Sequence, residues 1–206
     1  LEYAQLKAHY PELIYCAITG FGQTGSMANE PGYDFMAQAI SGLMACTGEI
    51  EGEPMKVGVA LTDVITGLNA VAGILAAINA RHQTGKGQMI DLALLDCSLA
   101  SLTNIAQYYL TSGQPAPRQG NAHPSIVPYQ NFRTSDGYIV IAVGNDAQFT
   151  RFCECIDKQE FASDTRFSTN ANRVINREIL CAEIQVCLIE KTTQDWLNTF
   201  KNNQVP

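Results

Sequence analysis

The stretch Val57-Gly-Val-Ala-Leu-Thr-Asp-Val-Ile-Thr-Gly-Leu-Asn-Ala-Val-Ala-Gly-Ile-Leu-Ala-Ala-Ile-Asn-Ala-Arg-His-Gln-Thr-Gly-Lys-Gly-Gln88 decides the fold. Between Asp63 and Arg81 it carries no charge, and Val64, Ile65, Leu68, Val71, Ile74, Leu75 and Ile78 recur at helical spacings with Ala and Gly between them. A helix apolar on nearly every side is expected inside a protein. Thr62 and Asp63 stand at its start, where capping side chains and carboxylates belong. Arg81, His82, Lys86 and two glycines mark its stop. Gly67 and Gly73 each cost a helix about 1 kcal/mol relative to Ala, which predicts that something packs close to the backbone there.

Asp63 supports two compatible readings. One is an N-cap. The other is a catalytic carboxylate: the partial positive charge of a helix start favours an ionised acid, and an ionised carboxylate at the edge of an apolar core is poised as a nucleophile. Pattern alone does not separate them.

Composition bounds the rest. The chain has 206 residues, 46% hydrophobic and 16% charged, enough for a sizeable core and against disorder. A net charge of −7 without a basic stripe argues against a nucleic-acid surface. Polar breaks and periodic small residues assign the central helix to a protein interior rather than a membrane. The seven cysteines form an odd set without zinc-type spacing and mostly lie in apolar stretches. They predict a reducing compartment, the cytoplasm or, in a eukaryote, the mitochondrial matrix. The three histidines, His9, His82 and His123, stand at no metal-ligand spacing, so no metal site is expected. With no initiator Met or signal peptide at Leu1 and a stop at Pro206 just past a helical pattern, the chain reads as a piece of a longer protein.

In order, residues 3–10 read as the end of a helix and residues 13–18 as a strand buried on both faces. The glycine-rich Thr19-Gly-Phe-Gly-Gln-Thr-Gly25 matches neither the dinucleotide fingerprint nor a P-loop, and is expected to line a ligand with backbone, Gly20 included. Asp34 is expected to cap a helix that runs through Met44. An acidic loop, 49–54, leads to the central helix. Residues 88–94 form a second strand, and 95–110 a further helix. This order predicts an α/β domain with a parallel sheet. Gln114-Pro-Ala-Pro-Arg-Gln-Gly120 reads as a linker. The domains expected are therefore 1–113 and 114–206. The second opens with a two-proline loop. A hairpin over 131–143 follows, turning at Ser135-Asp-Gly137. Helices are expected over 146–156, 173–190 and 193–201, the last capped by Thr192 or Thr193.

Four segments together resemble the family III CoA-transferases: Ile18-Thr-Gly-Phe-Gly-Gln-Thr-Gly25 with Pro31-Gly-Tyr-Asp34; Val57-Gly-Val-Ala-Leu-Thr-Asp63 with Thr66-Gly67; Arg81-His-Gln-Thr-Gly-Lys-Gly-Gln88 running into Ile90-Asp-Leu-Ala-Leu-Leu95; and Gly120-Asn-Ala-His-Pro-Ser-Ile-Val-Pro-Tyr-Gln130. The last is most similar to the branch acting on small dicarboxylates, such as the succinyl-CoA–glutarate transferases. The resemblance implies a large α/β domain with a parallel sheet, a small α+β domain, and an interlocked homodimer in the full-length protein. It implies that segments before and after this chain complete the fold, the earlier one supplying much of the CoA site. It also implies acyl-CoA and small carboxylates as substrates, with no permanently bound cofactor.

The resemblance places the catalytic aspartate on Asp63, and the substrate-binding candidates are His123, Ser125, Tyr33, Asp34 and Gly20. His123 and Ser125 are read either as contacts to a distal substrate carboxylate or as a loop-shaping pair, where formyl-CoA transferase has a flexible glycine run. An α-methylacyl-CoA racemase is the runner-up. That branch has a His-Asp pair where this chain has Tyr33-Asp34, and a two-base racemase needs the histidine. An inactive fragment or scaffold is the third reading.

Overall fold

The computed structural model describes residues 2–206. The chain forms two compact units, Leu1–Gly120 and Asn121–Pro206.

The first unit contains α1 (Tyr3–His9), β1 (Tyr15–Thr19), α2 (Asp34–Ile40), α3 (Leu61–Thr84), β2 (Met89–Ala93), α4 (Leu94–Ser101) and α5 (Thr103–Ser112). β1 and β2 pair in parallel, from Tyr15 opposite Met89 to Thr19 opposite Ala93. Parallel strands need a crossover, and here α2 and α3 supply it. α3 ends where the glycines said it would. Gly85 takes a left-handed conformation (φ 66°) and its N–H donates to the Arg81 carbonyl at 2.8 Å, a helix stop that a side chain would strain.

The burial of α3 differs from expectation. Its buried residues are Thr62, Thr66, Ala70 and Ala77, a narrow stripe of small side chains packed toward α4 and the strands. Val64, Leu68, Val71 and Leu75 are each more than half exposed. Small side chains let neighbouring backbones approach closely, so they take the inner face while the larger apolar ones point outward. Gly73 meets Ile90, whose Cγ2 would lie 3.3 Å from an added Cβ, whereas nothing approaches Gly67. By length and hydropathy α3 is also sufficient to cross a membrane.

β1 is half-buried, with Ile18 exposed, rather than covered on both faces. α2 stops at Ile40, because Gly42 is left-handed (φ 88°) and the Ser41 hydroxyl turns to Ser98. The helix expected over 95–110 breaks at Thr103, which has a positive φ of 41°. Residues 114–120 fold back onto the acidic loop. The Arg118 guanidinium donates to the carbonyls of Ala45, Glu49 and Gly52, and the Gly120 N–H to that of Gly48.

The second unit opens with an antiparallel hairpin, β3 (Tyr129–Arg133) and β4 (Tyr138–Ala142). Ser135-Asp136-Gly137 lies in its turn, and the Thr134 N–H donates to the Gly137 carbonyl at 2.9 Å. Helices α6 (Asp146–Cys155), α7 (Glu160–Ser163), α8 (Asn170–Ile175), α9 (Arg177–Leu188) and α10 (Thr193–Asn202) complete it. One helix was expected over 173–190. It is broken at Asn176, whose amide donates to the Arg166 and Asn172 carbonyls in competition with the helix ladder. Thr192, not Thr193, caps α10, accepting from the Asp195 N–H. Phe132, Ile139, Ile141, Phe149, Phe152, Leu180, Ile184, Leu188, Trp196 and Phe200 form the core.

Two cysteines in this unit give a testable consequence. Burial pushes the Cys153 thiol up to about 12 and the Cys181 thiol up to about 11. Both stay protonated at pH 8, so iodoacetamide is expected to label them only after denaturation, as peptide mass mapping would show. An acid whose folded-state value is raised destabilises the fold as pH climbs from the unfolded value of 9.0 toward about 12, because the unfolded chain ionises first. The melting temperature should fall across that window. Rapid labelling of Cys153 in the folded protein would contradict this.

Candidate functional site

The site is built at the start of α3. Ala60 occupies the N-cap position without a side-chain hydrogen bond, and Asp63 is the third helical residue, not the cap. Its side chain is exposed. Among the described residues of the first unit, the Asp63 carboxylate accepts no hydrogen bond.

The capping role falls to Asp34 instead, 29 residues before Asp63 in the chain. Asp34 is the first residue of α2, whose N-cap is Tyr33, so it does not cap its own helix as expected. Its Oδ1 accepts from the Thr62 N–H at 2.8 Å and from the Asp63 N–H at 3.4 Å. The Leu61 N–H donates to the Val59 carbonyl. Every N–H of the first turn is thereby engaged, so a helix start that normally offers open donors has none left for a reacting oxyanion.

Asp34 is itself held. Gln38, fully buried, donates from Nε2 to Asp34 Oδ2 at 2.7 Å and to the Val59 carbonyl at 3.4 Å. Its Oε1 accepts from the Val57 N–H at 2.9 Å. Beneath lie Ser41, Thr62, Thr66 and Ser98, all buried. The Ser41 and Ser98 hydroxyls meet at 2.8 Å, and Thr66 Oγ1 donates to the Thr62 carbonyl at 2.7 Å. Gln38, Ser41 and Ser98 are absent from the sequence-based candidates. The one signal for Gln38 is its spacing of four from Asp34, which puts both on one face of a helix.

Gly20 serves the same region through close packing against Gly32. A Cβ on Gly20 would lie 2.4 Å from the Gly32 Cα, so only two glycines let these backbones touch. The contact fixes the loop that delivers Tyr33 and Asp34. Tyr33 is exposed at 69%, with no hydrogen bond to cap α2. The glycine-rich loop is tied down by the Gly22 N–H, which donates to Thr19 Oγ1, and by the Gln23 amide, which donates to Asp91.

His123 and Ser125 belong to the second unit. The Ser125 N–H donates to His123 Nδ1 at 3.1 Å, and the His123 ring packs on Tyr129. Arg177 donates to the carbonyls of His123 and Pro124, and Asn170 to that of Ser125. These bonds shape the loop that carries both side chains. The structure brings Gly20, Tyr33, Asp34 and Asp63 together in one unit and His123 with Ser125 in the other.

Residues 1–206 match the family model for CoA-transferase family III. The chain is 45% identical over its whole length to a succinate–glutarate CoA-transferase of Agrobacterium fabrum, covering 52% of that protein. It is 44% identical to the mouse succinyl-CoA:glutarate CoA-transferase, covering 47% of it. The crystal structure of a CaiB/BaiF family protein from Brucella suis superposes with a TM-score of 0.84 at 48% identity, over all of this chain and 55% of that one. The chain therefore spans about half the length of the curated relatives it matches. It belongs to CoA-transferase family III.

Proposed function

We propose that this family III chain carries the covalent part of a CoA-transferase site, with Asp63 as nucleophile and acyl-CoA and small dicarboxylates as substrates. The observation that carries the reading is an exposed carboxylate whose backbone is pinned while its oxygens accept no hydrogen bond among the described residues of its unit. The relatives named for succinate and glutarate support the substrate class.

In this reading, an Asp63 oxygen attacks the donor thioester carbonyl. The C–S bond breaks, giving a mixed anhydride and CoA thiolate. The thiolate attacks the Asp63 carbonyl and expels the donor acid, leaving an aspartyl-CoA thioester. The acceptor carboxylate then attacks that carbonyl, forming a second anhydride and releasing thiolate. Attack of the thiolate on the acceptor acyl carbon restores the Asp63 carboxylate. No proton is gained or lost, and one difficult exchange becomes several easier steps. The oxyanion donors it needs lie outside the first turn of α3.

The proposal extends to an interlocked homodimer of the full-length protein in a reducing compartment. The exposed Val64, Leu68, Val71 and Leu75 face of α3 supports burial against more protein, and the seven unpaired cysteines support the compartment. No observation favours a racemase. Tyr33 stands where a histidine is needed, and His82 lies at the far end of α3, about 28 Å from Asp63 along the axis.

The test supplies the full-length protein with succinyl-CoA and glutarate in deuterated water. Glutaryl-CoA is expected, with α-hydrogens retained. Deuterium uptake at the α-carbon of a branched acyl-CoA, without transfer, would favour the racemase, and neither reaction would favour a scaffold.

A further inference from the structure

Four of the buried polar residues, Gln38, Ser41, Thr62 and Ser98, converge where α2 and α4 meet the start of α3. Burying such groups is unfavourable unless each is satisfied, and Gln38 is the most completely engaged of them. Its two amide ends are not interchangeable. Oε1 must face the Val57 N–H, while Nε2 faces two acceptors, Asp34 Oδ2 and the Val59 carbonyl. A flipped amide would set oxygen against the Asp34 carboxylate and nitrogen against an N–H. Gln38 therefore fixes at once the segment entering α3 and the carboxylate that caps it.

We propose that Gln38 is a positioning residue for the covalent step: through Asp34 it holds the Thr62 and Asp63 N–H groups, and through Val57 and Val59 it holds the segment that enters α3. The inference rests on Asp63 being the nucleophile. The same carboxylate must then meet a thioester, a thiolate and a second acid in succession. Acyl transfer requires reacting atoms about 3–3.5 Å apart and aligned, and a displacement of about 1 Å costs on the order of 100-fold in rate. Asp34, by engaging the Thr62 and Asp63 N–H groups, also stops the Asp63 side chain from bonding them itself.

The test uses the full-length protein and measures single-turnover formation of the hydroxylamine-trapped acyl-enzyme from succinyl-CoA, with KM and melting temperature alongside. Gln38→Glu sets a carboxylate oxygen against Asp34 Oδ2. Asp34→Asn sets an amide nitrogen against Gln38 Nε2. Each is expected to slow trapping by about 100-fold with KM for succinyl-CoA little changed. In the double variant Asp34→Asn/Gln38→Glu the new amide donates to the new carboxylate, net charge and the Val57 and Thr62 bonds are kept, and only the 3.4 Å bond to the Val59 carbonyl is lost. Its rate should return to within about tenfold of the parent, a rescue that general loss of stability would not give.

Single variants at the parent rate, or a folded double variant no faster than the singles, would overturn the proposal. If a single variant fails to fold, the double variant decides alone. Asp63→Ala separates the two ideas: an adduct that survives it removes the nucleophile and the relay together. An adduct that it abolishes, but that both single variants form normally, removes the relay only.

Discussion

Asp63→Asn in the full-length protein is expected to lower CoA exchange by about 10⁴-fold or more, with acyl-CoA binding largely kept. The substitution is nearly isosteric at an exposed side chain that bonds nothing among the described residues of its unit. In the proposed mechanism it removes the attacking oxygen, and it leaves the packing alone. Its effect on stability is confined to the helix-terminus interaction of a first-turn acid, about 0.3–1 kcal/mol. Rate and stability should therefore separate. Asp63→Glu keeps the acid but moves its oxygens by one methylene, and an intermediate loss of about 100-fold is expected. Exchange kinetics with thermal melts on the three proteins check this. Exchange by the Asn variant within tenfold of the parent would reduce Asp63 to an ordinary first-turn acid.

The largest expected effect on stability lies in the second unit. Arg173 is fully buried, and it donates from Nε to the Val127 carbonyl at 2.7 Å, from Nη1 to the Phe167 carbonyl at 2.9 Å and from Nη2 to Asp146 Oδ1 at 2.7 Å. Its guanidinium carbon sits 4.3 Å from the centre of the Phe149 ring. Arg173→Leu leaves two buried carbonyls without partners, at about 1–3 kcal/mol each, so a loss of about 4 kcal/mol is expected in urea unfolding. Arg173→Lys should cost nearly as much, since one ammonium cannot reproduce the planar fork. Asp146→Asn should cost about 1 kcal/mol, because that carboxylate is largely exposed and keeps a carbonyl-type acceptor in place. A loss below 1 kcal/mol for Arg173→Leu would mean that the fork does not hold this unit together.

How much of this was legible in the chain depended on how local the cause was. The Gly85 stop and the Ser135-Asp136-Gly137 turn are set by neighbours a few residues away and stand where the pattern put them, and the α10 cap is the first of the two threonines it offered. The face of α3 that packs inward could not be read. Hydropathy makes the helix apolar on nearly every side and so marks no single inner face, while close packing within this chain selects Thr62, Thr66 and Ala70. The site was half legible. Asp63 and Asp34 carry motif signals, but their relation joins residues 29 apart in sequence. Gln38 reads as an unremarkable helical glutamine until its three partners are seen. Gly20 and Gly32 likewise explain each other only once their backbones are in contact.

The most direct measurement is peptide mass mapping of the full-length protein after incubation with succinyl-CoA and trapping with hydroxylamine. The expected result is a hydroxamate on Asp63, formed only when succinyl-CoA is present and missing from Asp63→Ala. A hydroxamate on a different residue, or none while CoA exchange proceeds at its normal rate, would show that Asp63 is not the group that carries the acyl chain.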